Sequence, residues 1–234
     1  MLRIYTIPLS HPSAAALGMA RQAGLEFREV SLPGGLHPIV LRARGFRANT
    51  VPAMRDDDGT RTQGSLSISR AVHRRVPAAG LFPDEPGERR AVEEAERWGE
   101  EVLQPIPRRL IRRRLRDHLA MREWFAEVAS PFPAPKVTAR ALTPIVPLFV
   151  AQAGATAARV ERDREDLPGH LDHVDALLAA GTIGGETLNA ADWQIGTTVR
   201  VLLAVEDLAA LIEHRPAGAH ARRVLPDHPV IPAP

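Results

Sequence analysis

Two hydroxyls, Ser10 and Ser65, stand where a segment of extended character gives way to a helical one. Around them in the chain lie Tyr5, His11, His37 and Gln63. In IYTIPLSHPSAAALGMA, residues 4–20, Ser10 precedes a proline-marked helix start, and two roles compete for it. Serine is a leading N-cap residue, and a hydroxyl aimed from a helix N-terminus is also a reactive group presented to a ligand. In TQGSLSI, Ser65 opens a helical stripe, where its hydroxyl can accept a helix N–H and the helix N-terminus can hold a carboxylate.

Other chemistries are excluded or unsupported. The 234 residues contain no cysteine, which removes disulfides, thiolate metal sites and a cysteine nucleophile. No histidine has metal-ligand spacing: His170 and His173 lie three apart on one predicted helix without a third ligand, and His11 and His37 read as solvated surface residues. The run PRRLIRRRLR, residues 107–116, carries six arginines and no acid. It follows the acid-rich ERRAVEEAERWGEE and lacks stacking aromatics, so it reads as a solvated helix face or subunit contact rather than a nucleic-acid patch, with phosphate or acidic-substrate steering as a further alternative. Net charge is only +2, so the sequence pI of 9.8 reflects arginine's high pKa, Lys136 being the only lysine. No apolar window is long enough to span a membrane and no leader pattern opens the chain, which makes a cytoplasmic location the expectation.

The elements that must position these groups fall into two parts. Residues 2–7 read as a strand, a helix begins at Pro12 and stops at Gly24, and LEFREV alternates as a half-buried strand does. A Gly-, Pro- and Arg-rich connection leads to VPAMRDDDGTRTQ, two strands joined at Asp58–Gly59. The helix after Ser65 places Ile68, Ala71, Val72 and Val76 on one face. Residues 79–87 are a Pro/Gly linker, and from 88 onward the pattern is helical. One stripe runs through Ala91, Ala95, Trp98 and Val102 until Pro105 and Pro107, another through Leu167, Leu171, Val174, Leu177 and Leu178 to Gly181. In LNAADW, Asn189 with Asp192 makes a capping-box pair and Leu188 with Trp193 a hydrophobic staple. The Pro-rich tail from 226 is expected to be extended.

This order of elements, with Val51–Pro52 heading the hairpin, GLFPDEPGERRAV as linker and IGGETLNAADWQI late in the chain, resembles the glutathione S-transferase superfamily over nearly the whole chain. The resemblance implies a thioredoxin-like α/β domain at 1–78 and an all-α domain at 88–234. It implies a cis bond before Pro52, whose exposed main chain at Val51 pairs with glutathione or a related low-molecular-weight thiol, and a thiol site of Ser10, His11, Thr50, Val51, Pro52, Gln63, Gly64 and Ser65. Ser10 then activates the sulfur, with Tyr5 as the alternative hydroxyl. Family members usually carry an acid or Gln where this chain has Gly64; Gln63 or an Asp of a second subunit are the substitutes. Asn189 and Asp192 are implied to be structural. No metal is implied. A small hydrophobic electrophile is expected between the domains, against Leu9, His11 and helices around residues 98–124, for conjugation of a detoxifying kind, in a homodimer. A non-catalytic ligand- or protein-binding protein and a thiol-dependent isomerase or lyase are the other readings.

Overall fold

The computed structural model describes residues 1–130 and 132–233; Pro234 of the predicted tail lies outside them. Strand β1 (Leu2–Thr6), helix α1 (His11–Gln22) and strand β2 (Phe27–Ser31) form a parallel β-α-β unit. Strands β3 (Ala53–Arg55) and β4 (Arg61–Gln63) follow, turning at Asp56–Thr60, and helix α3 (Ser65–Arg75) closes the α/β part. The sheet order is β2-β1-β3-β4, with β3 antiparallel to both neighbours.

Alternation along β1 sends Ile4 into the main core and Tyr5 to the other face of the sheet. There Tyr5 packs with Leu32, Leu41, Phe46 and Ala53 beneath α2 (His37–Ala43). That helix falls in the stretch expected to be an irregular connection. It has only one fully buried residue, Leu41, and its Pro38 and arginines obscure so short a pattern.

The second part is all helical: α4 (Pro86–Trp98), α5 (Pro105–Asp117), α6 (Leu119–Ala129), α7 (Pro135–Leu142), α8 (Val146–Gln152), α9 (Ala157–Ala179), α10 (Ala190–Ala204), α11 (Glu206–Ile212) and α12 (Pro216–Val224). Helix α10 is buried nearly all round, as a central core helix must be. Its start is the expected capping box: Asp192 N–H donates to Asn189 Oδ1 (3.0 Å) and Asn189 N–H to Asp192 Oδ2 (2.7 Å). The predicted stripe on α4 is corrected. Val92, Ala95 and Glu96 are its buried residues, while Val102 is 36% exposed, because a π-helical turn at Gly99–Leu103 rotates the face before α5. The prolines at 105 and 107 sit in the first turn of α5, where a missing N–H costs little. The tail is extended, with Ile231 buried and bridged to Val205.

The two parts lock together where α1 meets α10. Gln22 Nε2 donates to the carbonyls of Ala79 and Leu188, both at 2.7 Å, while its Oε1 accepts the indole N–H of Trp193 (2.8 Å). The same indole packs against Gly18, where a methyl would come within 2.1 Å of the ring. No helix among the described residues is long and apolar enough to cross a membrane.

Candidate functional site

The loop between β1 and α1 turns through Leu9, a non-glycine residue at φ 62°, a conformation costing roughly 1 kcal/mol. The turn delivers Ser10 to the N-cap of α1. Ser10 Oγ accepts the Ser13 N–H (3.3 Å) and the Ser13 hydroxyl (2.9 Å). Both competing roles of Ser10 are therefore compatible: its lone pairs cap the helix, and its own O–H proton has no partner among the described residues. Two accepted hydrogen bonds and the positive end of α1 make that O–H a better donor.

The second segment expected at the thiol site is Val51–Pro52, whose peptide bond is cis. Neither the N–H nor the C=O of Val51 has a hydrogen-bond partner among the described residues. Gln63, expected at the thiol site, braces the loop before Val51: its Nε2 donates to the carbonyls of Ala48 (2.8 Å) and Thr50 (3.1 Å), and its Oε1 accepts the Ala48 N–H (2.9 Å). Its amide thereby holds Ala48 and Thr50, the residues leading into Val51. Gly64 has φ 87°, a region that L side chains rarely adopt, and a methyl there would meet nothing within 4 Å.

The role of Ser65 is corrected. Gly64, not Ser65, is the N-cap of α3, and the Ser65 hydroxyl, buried at 2% exposure, points to Glu100 Oε2 at 3.4 Å. Burial raises the Glu100 carboxyl above its ordinary pKa, opposed by the main chain of Leu66, the Ser65 hydroxyl and Arg108. A carboxylate of the protein itself thus occupies the start of α3.

Glu100 begins a line of polar residues spaced four apart: Glu100, Gln104, Arg108 and Arg112. Arg108 donates to Gln104 Oε1 (2.5 Å), and Arg112 to the Phe149 carbonyl (3.0 Å). His11 faces the middle of this line and is only 7% exposed, against the expectation of a solvated residue. Burial, reinforced by the charge of Arg108, lowers its pKa to about 3, so the ring is neutral. His37 is half-buried near Arg112, and burial lowers its pKa too. Tyr5 stands apart, 1% exposed against Phe46, its hydroxyl buried without a partner.

The arginine run is not a solvated face. Arg109 forms a two-pronged pair with Asp163 (2.5 and 2.7 Å), Arg114 pairs with Asp207, and Arg113 with Asp117. The first two pairs bind α5 to α9 and α11, and the third lies within α5. Sequence reasoning does not pick out Gln22, Glu100, Gln104, Arg108 and Arg112 individually, and reads the two arginines only within the run at 107–116. The four-residue spacing of the last four was visible, but it crosses the prolines at which the helical pattern was expected to break. Among the described residues no group of three or more His, Asp or Glu side chains gathers as a metal site.

Comparison with known proteins agrees with this fold. Residues 4–80 match the model of the glutathione S-transferase N-terminal domain. Curated proteins provide no sequence match. Among solved structures, glutathione transferase F2 from Populus trichocarpa is similar at 19% identity and TM-score 0.64, over 97% of this chain and 94% of that one. The theta class glutathione S-transferase from Xanthomonas axonopodis, solved with glutathione bound, is similar at 18% identity and TM-score 0.61, over 97% and 98%. The β-etherase LigF from Sphingobium is similar at 16% identity and TM-score 0.62, over 95% and 98%.

Proposed function

We propose that the chain, whose residues 4–80 match the glutathione S-transferase N-terminal domain, is a member of that superfamily, binds glutathione or a related low-molecular-weight thiol, and activates the sulfur for attack on an electrophile with an apolar body. The thiol peptide lies along Val51, whose free N–H and C=O receive it as an added strand. Ser10 O–H donates to the sulfur and, with the α1 N-terminus, favours thiolate over thiol. Lowering a thiol pKa by two units takes about 2.7 kcal/mol, within reach of one charge-assisted hydrogen bond plus a helix end. The thiol proton leaves to solvent. The thiolate then forms a carbon–sulfur bond, and the leaving group departs with its electron pair.

The unspent hydroxyl of Ser10, accepting two bonds and donating none among the described residues, is the observation that carries this reading. Calorimetric titration of glutathione and alternative thiols, followed by conjugation of a generic aromatic electrophile, tests it. Absence of binding at millimolar thiol defeats the reading. Normal turnover by Ser10→Ala reduces Ser10 to a cap.

A second reading, a non-catalytic binding protein of the same fold, is favoured by Glu100 at the start of α3 together with the uncharged Gly64. Thiol-dependent lyase chemistry of the kind the name β-etherase denotes would use the same activated sulfur. We also propose a cytoplasmic homodimer. A groove of about 680 Å³ between α3 and α4 is lined by Arg70, Arg74, Arg90 and Arg97 with Glu93 and Glu94, a mixed-sign surface suited to a two-fold copy of itself. Light scattering after gel filtration decides the oligomeric state.

A further inference from the structure

Helix α5 treats its arginines in two ways. Those turned toward the helical part, Arg109 and Arg114, are matched by Asp163 and Asp207, and Arg113 has Asp117 one turn on. Arg116 is exposed and its charge is solvated. Arg108 and Arg112 differ. Both are half-buried and face the α/β part, and among the described residues neither has a carboxylate within ion-pair distance. Their hydrogen bonds go to neutral acceptors, Gln104 Oε1 and the Phe149 carbonyl. Burial lowers both guanidinium pKa values, that of Arg112 to about 10; the Glu100 charge opposes the shift at Arg108, and each also feels a neighbouring arginine.

Arg108 has only the more distant Glu100 charge to offset it and Arg112 has none, so two neighbouring, partly desolvated cations stand incompletely compensated, which is costly. The surrounding polar atoms are also unspent. Gln104, 5% exposed, has its amide Nε2 buried without a partner, as has His11 at Nε2, and His37 at Nδ1. The fold thus gathers two guanidinium forks and a buried amide donor beside His11, whose chain neighbour is Ser10. Guanidinium forks match planar or tetrahedral oxyanions in two-pronged fashion.

We propose that the electrophile taken by this site bears an oxyanion group, a carboxylate, sulfonate or phosphate, held by Arg108 and Arg112 while its apolar body meets the thiol. This rests on the thiol-transfer reading and names its substrate class. It also revises the expectation of a wholly hydrophobic electrophile.

The test compares 4-chloro-3-nitrobenzoate with its methyl ester, using glutathione as thiol, each rate divided by the uncatalysed rate. The acid is expected to exceed the ester in kcat/KM about tenfold, with the advantage in KM, and Arg108→Gln or Arg112→Gln to remove most of that ratio. Arg112→Lys, which keeps the charge, retains part of it. Arg116→Gln, exposed on the same helix, leaves it unmoved. Calorimetric binding of the acid alone, without thiol, gives a readout independent of turnover and is lost in Arg112→Gln.

Equal kcat/KM for acid and ester overturns the inference while the transferase reading stands. Binding of the acid without turnover of either compound upholds the anion site and defeats the transferase reading. Neither binding nor turnover defeats both. If Arg112→Gln instead raises only the KM for glutathione, the oxyanion is the thiol's own carboxylate and the inference fails.

Discussion

Glu100 Oε2 accepts the Ser65 hydroxyl at 3.4 Å, so a carboxylate from the π-helical turn before α5 stands at the N-terminus of α3. A helix N-terminus attracts one negative charge well and a second poorly. A thiol ligand bringing its own carboxylate there must displace or neutralise Glu100. Glu100→Gln keeps the shape and removes the charge, and calorimetry at pH 7 is expected to show glutathione binding tightened roughly three- to tenfold, or roughly 0.6 to 1.4 kcal/mol. Because burial raises the Glu100 pKa, wild-type affinity should also climb as pH falls through that raised value, and the variant's should not. Equal affinities for the two proteins would make Glu100 a bystander.

Ser10 and Ser13 separate capping from activation. Ser10→Ala deletes both, and is expected to cost about 0.5 to 2 kcal/mol of stability from the lost cap and at least about tenfold in kcat/KM from the lost donor. Ser13→Ala leaves Ser10 in place but removes one of the two bonds that Ser10 Oγ accepts. Its stability should fall less, and the pKa of bound thiol, read from thiolate absorbance against pH, should rise by a fraction of a unit. A thiol pKa that is the same in wild type and Ser10→Ala would show that the hydroxyl never reaches the sulfur.

Local signals made the framework legible and left the cleft hidden. Val51–Pro52, the Asp58–Gly59 turn and the Asn189–Asp192 box each lie within a few residues of chain, so their types reveal their geometry. The cleft is assembled from distant pieces. Nothing in TQGSLSI shows that the backbone of Ala48 and Thr50 will claim the Gln63 amide. His11 looked solvated because its burial comes from residues 104 and 108, almost a hundred positions away. The arginines of α5 looked alike, and only their pairing with Asp163 and Asp207 separates the structural ones from Arg108 and Arg112.

Asp192 is fully buried, accepts the main-chain N–H groups of Gly184 and Asn189 at 2.7 Å each, and lies 3.1 Å from His220 Nε2. Asp192→Ala strips two buried donors of their acceptor at the start of the central helix. The expected cost is about 2 to 4 kcal/mol, larger than for an exposed cap because the freed N–H groups have no access to water. Urea unfolding should show this shift in midpoint, while KM for thiol and electrophile stays within about twofold at temperatures where the variant is folded. A loss of activity without loss of stability would move Asp192 from the fold to the site.

His11 carries a pH dependence of known sign. Its ring has a folded pKa of about 3, caused first by burial and then by Arg108, against about 6.5 in the unfolded chain. Between those values the unfolded chain binds the proton and the folded one does not, so acid favours unfolding. The stability this group contributes is complete above pH 6.5 and is lost as pH falls toward 3, at about 1 kcal/mol per pH unit near the middle of that range. Glu96 works in the opposite sense. Burial pushes its carboxyl up to about 7 despite Arg70 and Ser69, so its contribution declines as pH rises from about 4.5 to 7. Comparing wild type with His11→Gln cancels the Glu96 contribution, which both share. Urea titrations at pH 7, 6, 5 and 4, followed by tryptophan fluorescence, should show wild type losing stability faster than the variant with each step down. Two parallel stability curves would mean that the folded protein accommodates a proton on His11, and that Arg108 does not press on it as the geometry implies.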